Sequence, residues 1–318
     1  MSILCVGGAG YLGSCVVRLL GEQGANVIVL DDLLYTPRYF ERNDVRFVRG
    51  RVEGVDLDAI VKTYHVDGVV WLAAIVGDAA CMIDPATSLR VNTEAVRWLS
   101  RFEGRVVFPS TCSVYGAQDA LADEDSPLNP LSLYAMTKIA AEKHLEKHFQ
   151  AWVLRLGTLH GVSDRMRFDL MVNTMTRDAV RTGVVKVFGG KQRRPLLSVW
   201  DAAQAIVTLA TSERNNIPRG VYNLATDNYS ATEVAALISD VTRAEVQVLD
   251  FPSEDRRDYA VSCSKINNVL GPGFSFISTC HTIKDSVQDI AALLLSGRLR
   301  DPDEDVYHNA NALRRKNG

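Results

Sequence analysis

The chain has 318 residues, 47% of them hydrophobic and 23% charged, which is ordinary for a globular protein and wrong for a disordered, collagenous or coiled-coil chain. At roughly 150 residues per domain, that length corresponds to about two domains, or to one large α/β unit with an attached lobe. Lys and Arg number 35 against 38 Asp and Glu, so no global positive field exists for nucleic acid or an anionic membrane, and an anionic substrate must be held by a local group of arginines.

In chain order, short apolar runs predict strands at Ile3–Gly7, Val27–Leu30, Val45–Val48, Gly68–Leu72, Val106–Pro109 and Trp152–Leu156. Amphipathic segments between them predict helices at Leu12–Gln23, Leu57–Tyr64, Ala86–Phe102 and Leu133–Phe149. Near-continuous hydrophobic strands alternating with helices predict an α/β fold with a doubly wound parallel sheet covered on both faces. Past Arg167 a helix is expected to about Thr182, then a Gly189-Gly190 turn, a strand near Leu196–Val199 and a helix from Asp201 to Ser212. Further signals fall at Val221–Leu224, Ala231–Ser239, Val246–Leu249 and Thr282–Leu295, and the polar tail from Asp301 reads as a frayed terminus. The expected division is residues 1–164 for the first domain, with segments of about 184–226 returning to it, and mainly 165–318 for a smaller lobe. Six cysteines (Cys5, Cys15, Cys81, Cys112, Cys263, Cys280) are scattered without a CxxC pair. That pattern speaks against a disulfide framework or a zinc site and fits a reducing compartment. No stretch approaches the roughly 18 apolar residues of a membrane span, and the opening residues enter a strand rather than a basic, apolar leader. A cytoplasmic protein without membrane or nucleic-acid partners is therefore expected.

The first strand leads into Gly7-Gly8-Ala9-Gly10-Tyr11-Leu12-Gly13 and then a helix. Glycines at this spacing let the backbone turn tightly against a pyrophosphate, while the helix N-terminus offers free N–H groups and a positive dipole end. This is the Rossmann arrangement, with Gly7, Gly10, Tyr11, Leu12 and Gly13 as cofactor contacts. The second strand ends in Asp31-Asp32, and Asp31 lies about twenty residues past the glycines, where a carboxylate accepts from the ribose 2′-hydroxyl. A carboxylate there repels a 2′-phosphate, so the cofactor is expected to be NAD.

Tyr134 and Lys138 form a Y-x-x-x-K element whose spacing puts both side chains on one helix face. A free tyrosine, with a pKa of about 10, is a poor base near neutrality, and a nearby ammonium and a positive nicotinamide would lower it. The segment Phe108-Pro-Ser-Thr-Cys-Ser-Val-Tyr-Gly116 ends the fifth strand, where open parallel sheets place their ligands. Together these features resemble the extended short-chain dehydrogenase/reductase family and, more narrowly, its nucleotide-sugar epimerases, dehydratases and reductases. Further matches are Leu72-Ala73-Ala74, Val91-Asn92, Leu154-Arg155-Leu156, Arg194 ahead of Ser198-Val-Trp-Asp201, and Tyr222-Asn-Leu224.

The resemblance implies that Thr111 is the catalytic hydroxyl bonding the reacting sugar oxygen, Tyr134 the acid/base, and Lys138 its electrostatic support and a ribose contact. It implies cofactor contacts also from Asp32, Leu72, Ala73, Ala74 and Asn92, and substrate contacts from Thr111, Cys112, Ser113 and Tyr134. Arg194 and Arg257 would grip the substrate diphosphate, a task that bidentate arginine suits. The family's 4,6-dehydratases carry Asp-Glu directly after the catalytic Thr. Cys112 and Ser113 stand there instead, and neither makes an evident acid/base pair for removing water. A cysteine used as acid/base in the GDP-fucose synthase branch aligns with Ser113, not Cys112, so Cys112 reads as a small buried residue.

What remains is hydride chemistry at C4 of a nucleotide-diphosphate sugar, as a 4-epimerase or C4 dehydrogenase or, in reverse, a 4-keto-sugar reductase. Arg165–Asn173, Asp255–Ser262 and Ile75–Pro85 are similar to a subgroup that includes C4 oxidoreductases for GDP-heptoses, some of which keep their cofactor bound. Arg51 stands where many members have an acid that bonds adenine, and Thr158 where many have Asn. His160 reads as a packed loop residue rather than a substrate contact. An intact Thr111, Tyr134 and Lys138 argues against a non-catalytic NAD sensor or scaffold. Asp31 with Arg194 and Arg257 argues against an NADPH-dependent reductase of a non-sugar carbonyl. The resemblance also implies a homodimer through Ala86–Phe102 and Leu133–Phe149, with Val96, Leu99, Ile139 and Leu145 serving either that interface or the sheet side. No metal is expected.

Overall fold

The computed structural model describes all residues except 36–44, 147–150, 213–216, 250–257, 271–280, 300 and 318. Seven strands make one sheet: β1 Ser2–Val6, β2 Asn26–Asp31, β3 Val45–Arg49, β4 Gly68–Trp71, β5 Arg105–Thr111, β6 Ala151–Leu156 and β7 Gly220–Leu224. They lie in the order β7-β6-β5-β4-β1-β2-β3, and every neighbouring pair is parallel. Parallel strands need crossover connections that cover both sheet faces, and accordingly every residue of β4 and β6 is buried. The chain reverses direction across the sheet between β1 and β4, the switch point at which such sheets leave a crevice.

The helices are α1 Tyr11–Glu22, α2 Leu57–Tyr64, α3 Asp78–Ile83, α4 Pro85–Leu89, α5 Leu133–Leu145, α6 Met171–Thr182, α7 Val199–Thr211, α8 Ala231–Thr242, α9 Ser264–Leu270, α10 Ile283–Leu295 and α11 Asn309–Asn317. On one face of the sheet α1 packs against α7 over Val27, Val29 and Val107. On the other, Leu57, Val96, Leu99 and Leu145 cover Leu4, Ile28 and Phe108. Val96, Leu99 and Leu145 thus serve the sheet, while Ile139 packs against a smaller cluster around Tyr115 and Tyr259. A separate core of Val172, Val185, Val234 and Val287 joins α6, α8 and α10 to the two-stranded sheet of Val184–Phe188 and Glu245–Leu249. Among the described residues no helix is long and apolar enough to cross a membrane.

Three expectations change. The helix read as Ala86–Phe102 runs over Pro85–Arg101 but shifts from α to a π turn at Arg90–Glu94 and then to 3-10 at Ala95–Arg101. Widened turns of this kind accommodate a side chain that must face inward, here the fully buried Asn92. The helix expected to follow Arg167 begins only at Met171, which leaves Arg165, Arg167 and Asp169 in irregular chain.

The tail is not frayed. It forms a 3-10 turn at Asp305–Tyr307 and then α11, with Asn309, Ala312 and Leu313 buried. Polar anchors hold it down. The Phe168 N–H donates to the Tyr307 carbonyl at 2.9 Å, the Asn309 side chain donates to the Val76 carbonyl at 3.1 Å, and Lys316 reaches Asp32 at 3.1 Å.

Behind the strand ends lies a buried polar network. Arg155 of β6 pairs with Glu142 of α5 at 2.8 Å, both side chains nearly inaccessible. Ser110 of β5 donates to the same carboxylate. Arg155 also donates to the Tyr115 hydroxyl at 2.9 Å, which in turn donates to Asn223 of β7 at 2.7 Å. Removing one partner of such a pair strands a buried charge. Arg155→Met is therefore expected to destabilise the protein by about 3–5 kcal/mol, while the double variant with Glu142→Leu recovers much of that loss. Urea unfolding of the two variants checks this, and a double variant no more stable than the single one would exclude it.

Candidate active site

The glycine loop is built by close approach. Gly7 has φ +83°, and a Cβ there would sit 2.5 Å from the backbone N of Ala73. A Cβ on Gly13 would meet the Gly7 carbonyl oxygen at 2.4 Å. Only glycine lets α1 start this close to β1, with its first N–H groups open to the crevice. Asp31 accepts from the N–H of Ala9 at 3.0 Å and of Leu33 at 2.8 Å. Burial raises its pKa, and these two bonds oppose the rise. Each carboxylate oxygen keeps a lone pair for a further donor. Asp32 stands beside it, held by Lys316 and, at 3.9 Å, by Arg51. Arg51 itself pairs with Glu53 at 3.0 Å.

Gly7, Gly10, Tyr11, Leu12, Gly13, Asp31 and Asp32 line one cavity of about 1130 Å³, together with Leu72, Ala73 and Ala74 at the end of β4. Asn92, expected as a cofactor contact, does not line it. Its amide instead bonds both the N–H and the carbonyl of Ile75, at 2.8 and 2.9 Å, and donates to the Thr137 hydroxyl at 3.1 Å. Asn92 thereby fixes the strand-end loop against α5 from behind, as a π turn aimed inward dictates.

Thr111, Ser113, Tyr134 and Lys138 line the same cavity. Thr111 ends β5, and its hydroxyl oxygen accepts from the Ser113 N–H at 3.1 Å. Its own O–H proton remains available to a ligand. Lys138 is buried, donates to the Pro109 carbonyl at 2.7 Å, and lies 4.6 Å from the Phe108 ring centroid. Burial brings its ammonium down to about 8, against an opposing pull from Glu142. Burial likewise pushes the Tyr134 phenol up, with Arg167 pulling it back.

Cys112 does not line the cavity, so the substrate contact implied by the resemblance is not made, while its reading as a small buried residue holds. It belongs to the 3-10 turn after β5, is fully buried, and its Sγ donates to the Arg155 carbonyl at 3.0 Å. Burial raises its thiol pKa well above the usual value.

Arg194 lines the cavity, buried at 8% exposure, with its guanidinium 5.7 Å from the Tyr259 ring centroid. Arg257, its expected companion, lies outside the described residues. Thr158 also lines the cavity. His160 does not. It is buried against Ser286 at 2.8 Å, and burial lowers its pKa to about 4. Residues that sequence reasoning did not single out complete the wall: Tyr35, Arg165, Arg167, Asp169, and His308 and Asn309 of the tail. Arg167 is held by Asp169 at 2.9 and 3.1 Å. The stretch from Arg165 was noticed only as a subgroup likeness, and nothing in its pattern signals inward-facing arginines. Among the described residues no group of three or more His, Cys, Asp or Glu is placed to hold a metal ion.

The profile of the NAD-dependent epimerase/dehydratase family matches residues 3–225. A UDP-glucose 4-epimerase of Halalkalibacterium halodurans is 27% identical over 301 residues, covering 85% of this chain and 90% of that protein. Among solved structures, MoeE5 in complex with UDP-glucose and NAD superposes with a TM-score of 0.78 at 25% identity, covering 93% of this chain and 99% of that one. TunA, an NAD-dependent NDP-hexosamine 5,6-dehydratase of tunicamycin biosynthesis, does so at 0.80 and 25% identity, covering 94% and 99%. The open helix start, the close-packed glycines and the carboxylate at the end of β2 fit a dinucleotide. With that fit and that match, the chain belongs to the NAD-dependent epimerase/dehydratase family of extended short-chain dehydrogenase/reductase enzymes.

Proposed function

We propose that this enzyme moves a hydride to and from C4 of a nucleotide-diphosphate sugar, most simply as a 4-epimerase or a C4 dehydrogenase. The observation that carries this reading is that Thr111, Tyr134 and Lys138 line one cavity with the glycine loop, while Cys112, in the place of a dehydratase acid, is turned into the core. When bound, NAD supplies the hydride acceptor and donor. The Thr111 hydroxyl, held by the Ser113 N–H, bonds the C4 oxygen. Tyr134 takes the C4 hydroxyl proton as that carbon is oxidised and returns it on reduction. Burial raises the Tyr134 pKa, and Lys138, one helical turn away on the same face and held by the Pro109 carbonyl, supplies a cation that favours the phenol giving up its proton. Arg194 grips the substrate diphosphate, with Arg257 as its partner. Residues 1–164, with α7 and β7, form the NAD unit, and most of 165–318 forms the nucleotide-sugar lobe. Leaving-group protonation across C5–C6 has no acid/base pair at positions 112 and 113, so dehydration is disfavoured.

The same helices offer a dimer face. Leu89 on α4 and Met136 on α5 are exposed at 45% and 53%, beside Met82 at 66% on α3. Among the described residues of these segments, Leu89 and Met136, rather than the buried Val96 or Leu99, are exposed apolar groups that a second copy could cover.

Tyr134→Phe is expected to lower turnover of UDP-glucose or a related nucleotide sugar by about 10²–10⁴-fold, the usual share of a general acid/base. NAD bound per chain, measured by mass spectrometry after denaturation, should stay unchanged. Turnover that survives in a variant still loaded with NAD would remove Tyr134 from the chemistry. The cation at Lys138 persists below its pKa of about 8 and is lost above it, so kcat should fall on the alkaline side near that pH. Lys138→Arg, which stays charged throughout, should abolish this limb, and a limb that remains assigns it elsewhere. Met136→Glu should weaken self-association at least about ten-fold, equivalent to about 1.4 kcal/mol. Sedimentation velocity reads the change, and an unaltered distribution would place the interface on another face.

A further inference from the structure

Arg165 belongs to none of the roles assigned so far. It lies in the irregular chain before α6, 5% exposed, and lines the cavity. One guanidinium nitrogen donates to the Val306 carbonyl at 3.0 Å and to the Asn309 side-chain oxygen at 2.7 Å. Its guanidinium carbon lies over the Tyr35 ring, 4.8 Å from the centroid. Among the described residues its Nε has no hydrogen-bond partner, and neither has the Tyr35 hydroxyl.

On the same segment, Asp169 is paired with Arg167. Among the described residues Arg165 forms no ion pair. Its guanidinium is bonded to a carbonyl and an amide oxygen, and the carboxylates of Asp169 and Asp31 act on it only through space, which leaves a buried cation incompletely compensated. Burial, and then the charge of Arg167, bring its pKa down to about 10. The site thus presents a fixed positive charge and two idle donors, which is what an anion with several oxygens requires.

Two anionic groups of one chemistry could lie in this cavity, the diphosphate of NAD and that of a sugar nucleotide. Position favours the first. Arg165 interacts electrostatically with Asp31 at the end of β2 and with Tyr11 at the start of α1, and it lies over the ring of a residue that follows Asp31 by one short turn. The N-terminus of α1 lines the same cavity.

We propose that Arg165, with Tyr35, binds the diphosphate of NAD together with the glycine loop, and that the segment 305–317 holds this arginine in place at the cavity. Asn309 links Arg165 to the Val76 carbonyl, and Lys316 ties the far end of the segment to Asp32. NAD bound by Arg165 is retained between turnovers, and its release requires this segment to give way.

The experiment measures NADH dissociation from the full-length protein by fluorescence stopped-flow, together with NAD bound after purification. Arg165→Met should speed dissociation by about 10- to 100-fold, the range for losing a charge-assisted hydrogen bond. Asn309→Ala, which leaves the guanidinium intact, should speed both binding and release, and Arg165→Lys should fall between wild type and Arg165→Met. Circular dichroism of each variant establishes that it is folded, and the two milder substitutions keep the test decisive if Arg165→Met is not. NADH dissociation unchanged in folded variants overturns the proposal. So does a loss of UDP binding with NADH unaffected, which would give Arg165 to the sugar nucleotide.

Discussion

The ion pair between Arg155 and Glu142 is the constraint from which the site takes its geometry. Tyr134, Lys138 and Glu142 stand four residues apart on one face of α5, so a force applied at the third positions the other two. The pair joins α5 to β6, the Ser110 hydroxyl adds β5, and Tyr115 carries the connection to Asn223 on β7. Three adjacent strands and one helix are thereby locked in register at the sheet edge where ligands bind. A hydrophobic contact in the same place would stabilise as well but would tolerate sliding. A fully bonded charge pair does not, because any displacement leaves charge unpaired in a dry interior.

The central sheet was legible because its physics is local and repetitive. Apolar runs such as Ile3–Val6 and Val27–Leu30 are buried on both faces and leave no other reading. The glycine loop was legible for a related reason: Gly7 and Gly13 admit no Cβ at all, so their spacing records a backbone contact directly. Arg155 and Asn223 were visible only as matches to a family. Their part in one buried network depends on strands far apart in sequence, and no periodicity encodes that.

The site's outer wall was illegible for the opposite reason. The tail has little apolar pattern, with Ala312 and Leu313 buried in an otherwise polar helix, and it is held largely by polar contacts to Val76, Asp32, Phe168, Arg165 and Asp169. Composition alone cannot separate such a segment from a frayed end. The ligand contacts implied for Cys112 and Asn92 are absent for a subtler reason. Both residues sit in turns that depart from α-helical geometry, the 3-10 turn after β5 and the π turn after α4, so the direction of each side chain could not be projected from its neighbours.

The way the tail is attached has an energetic consequence. Elements buried in the sheet open only with global unfolding, whereas segments with few apolar contacts open locally at a fraction of that free energy. The segment that lines the crevice, anchored mainly by polar bonds with Tyr307 and Leu313 among its apolar contacts, is closer to the second kind than the crevice floor is. Accessibility of the cofactor site is therefore set by a different, smaller free energy than the stability of the fold. Warming or mild denaturant would uncover the crevice well before the sheet beneath it loosens.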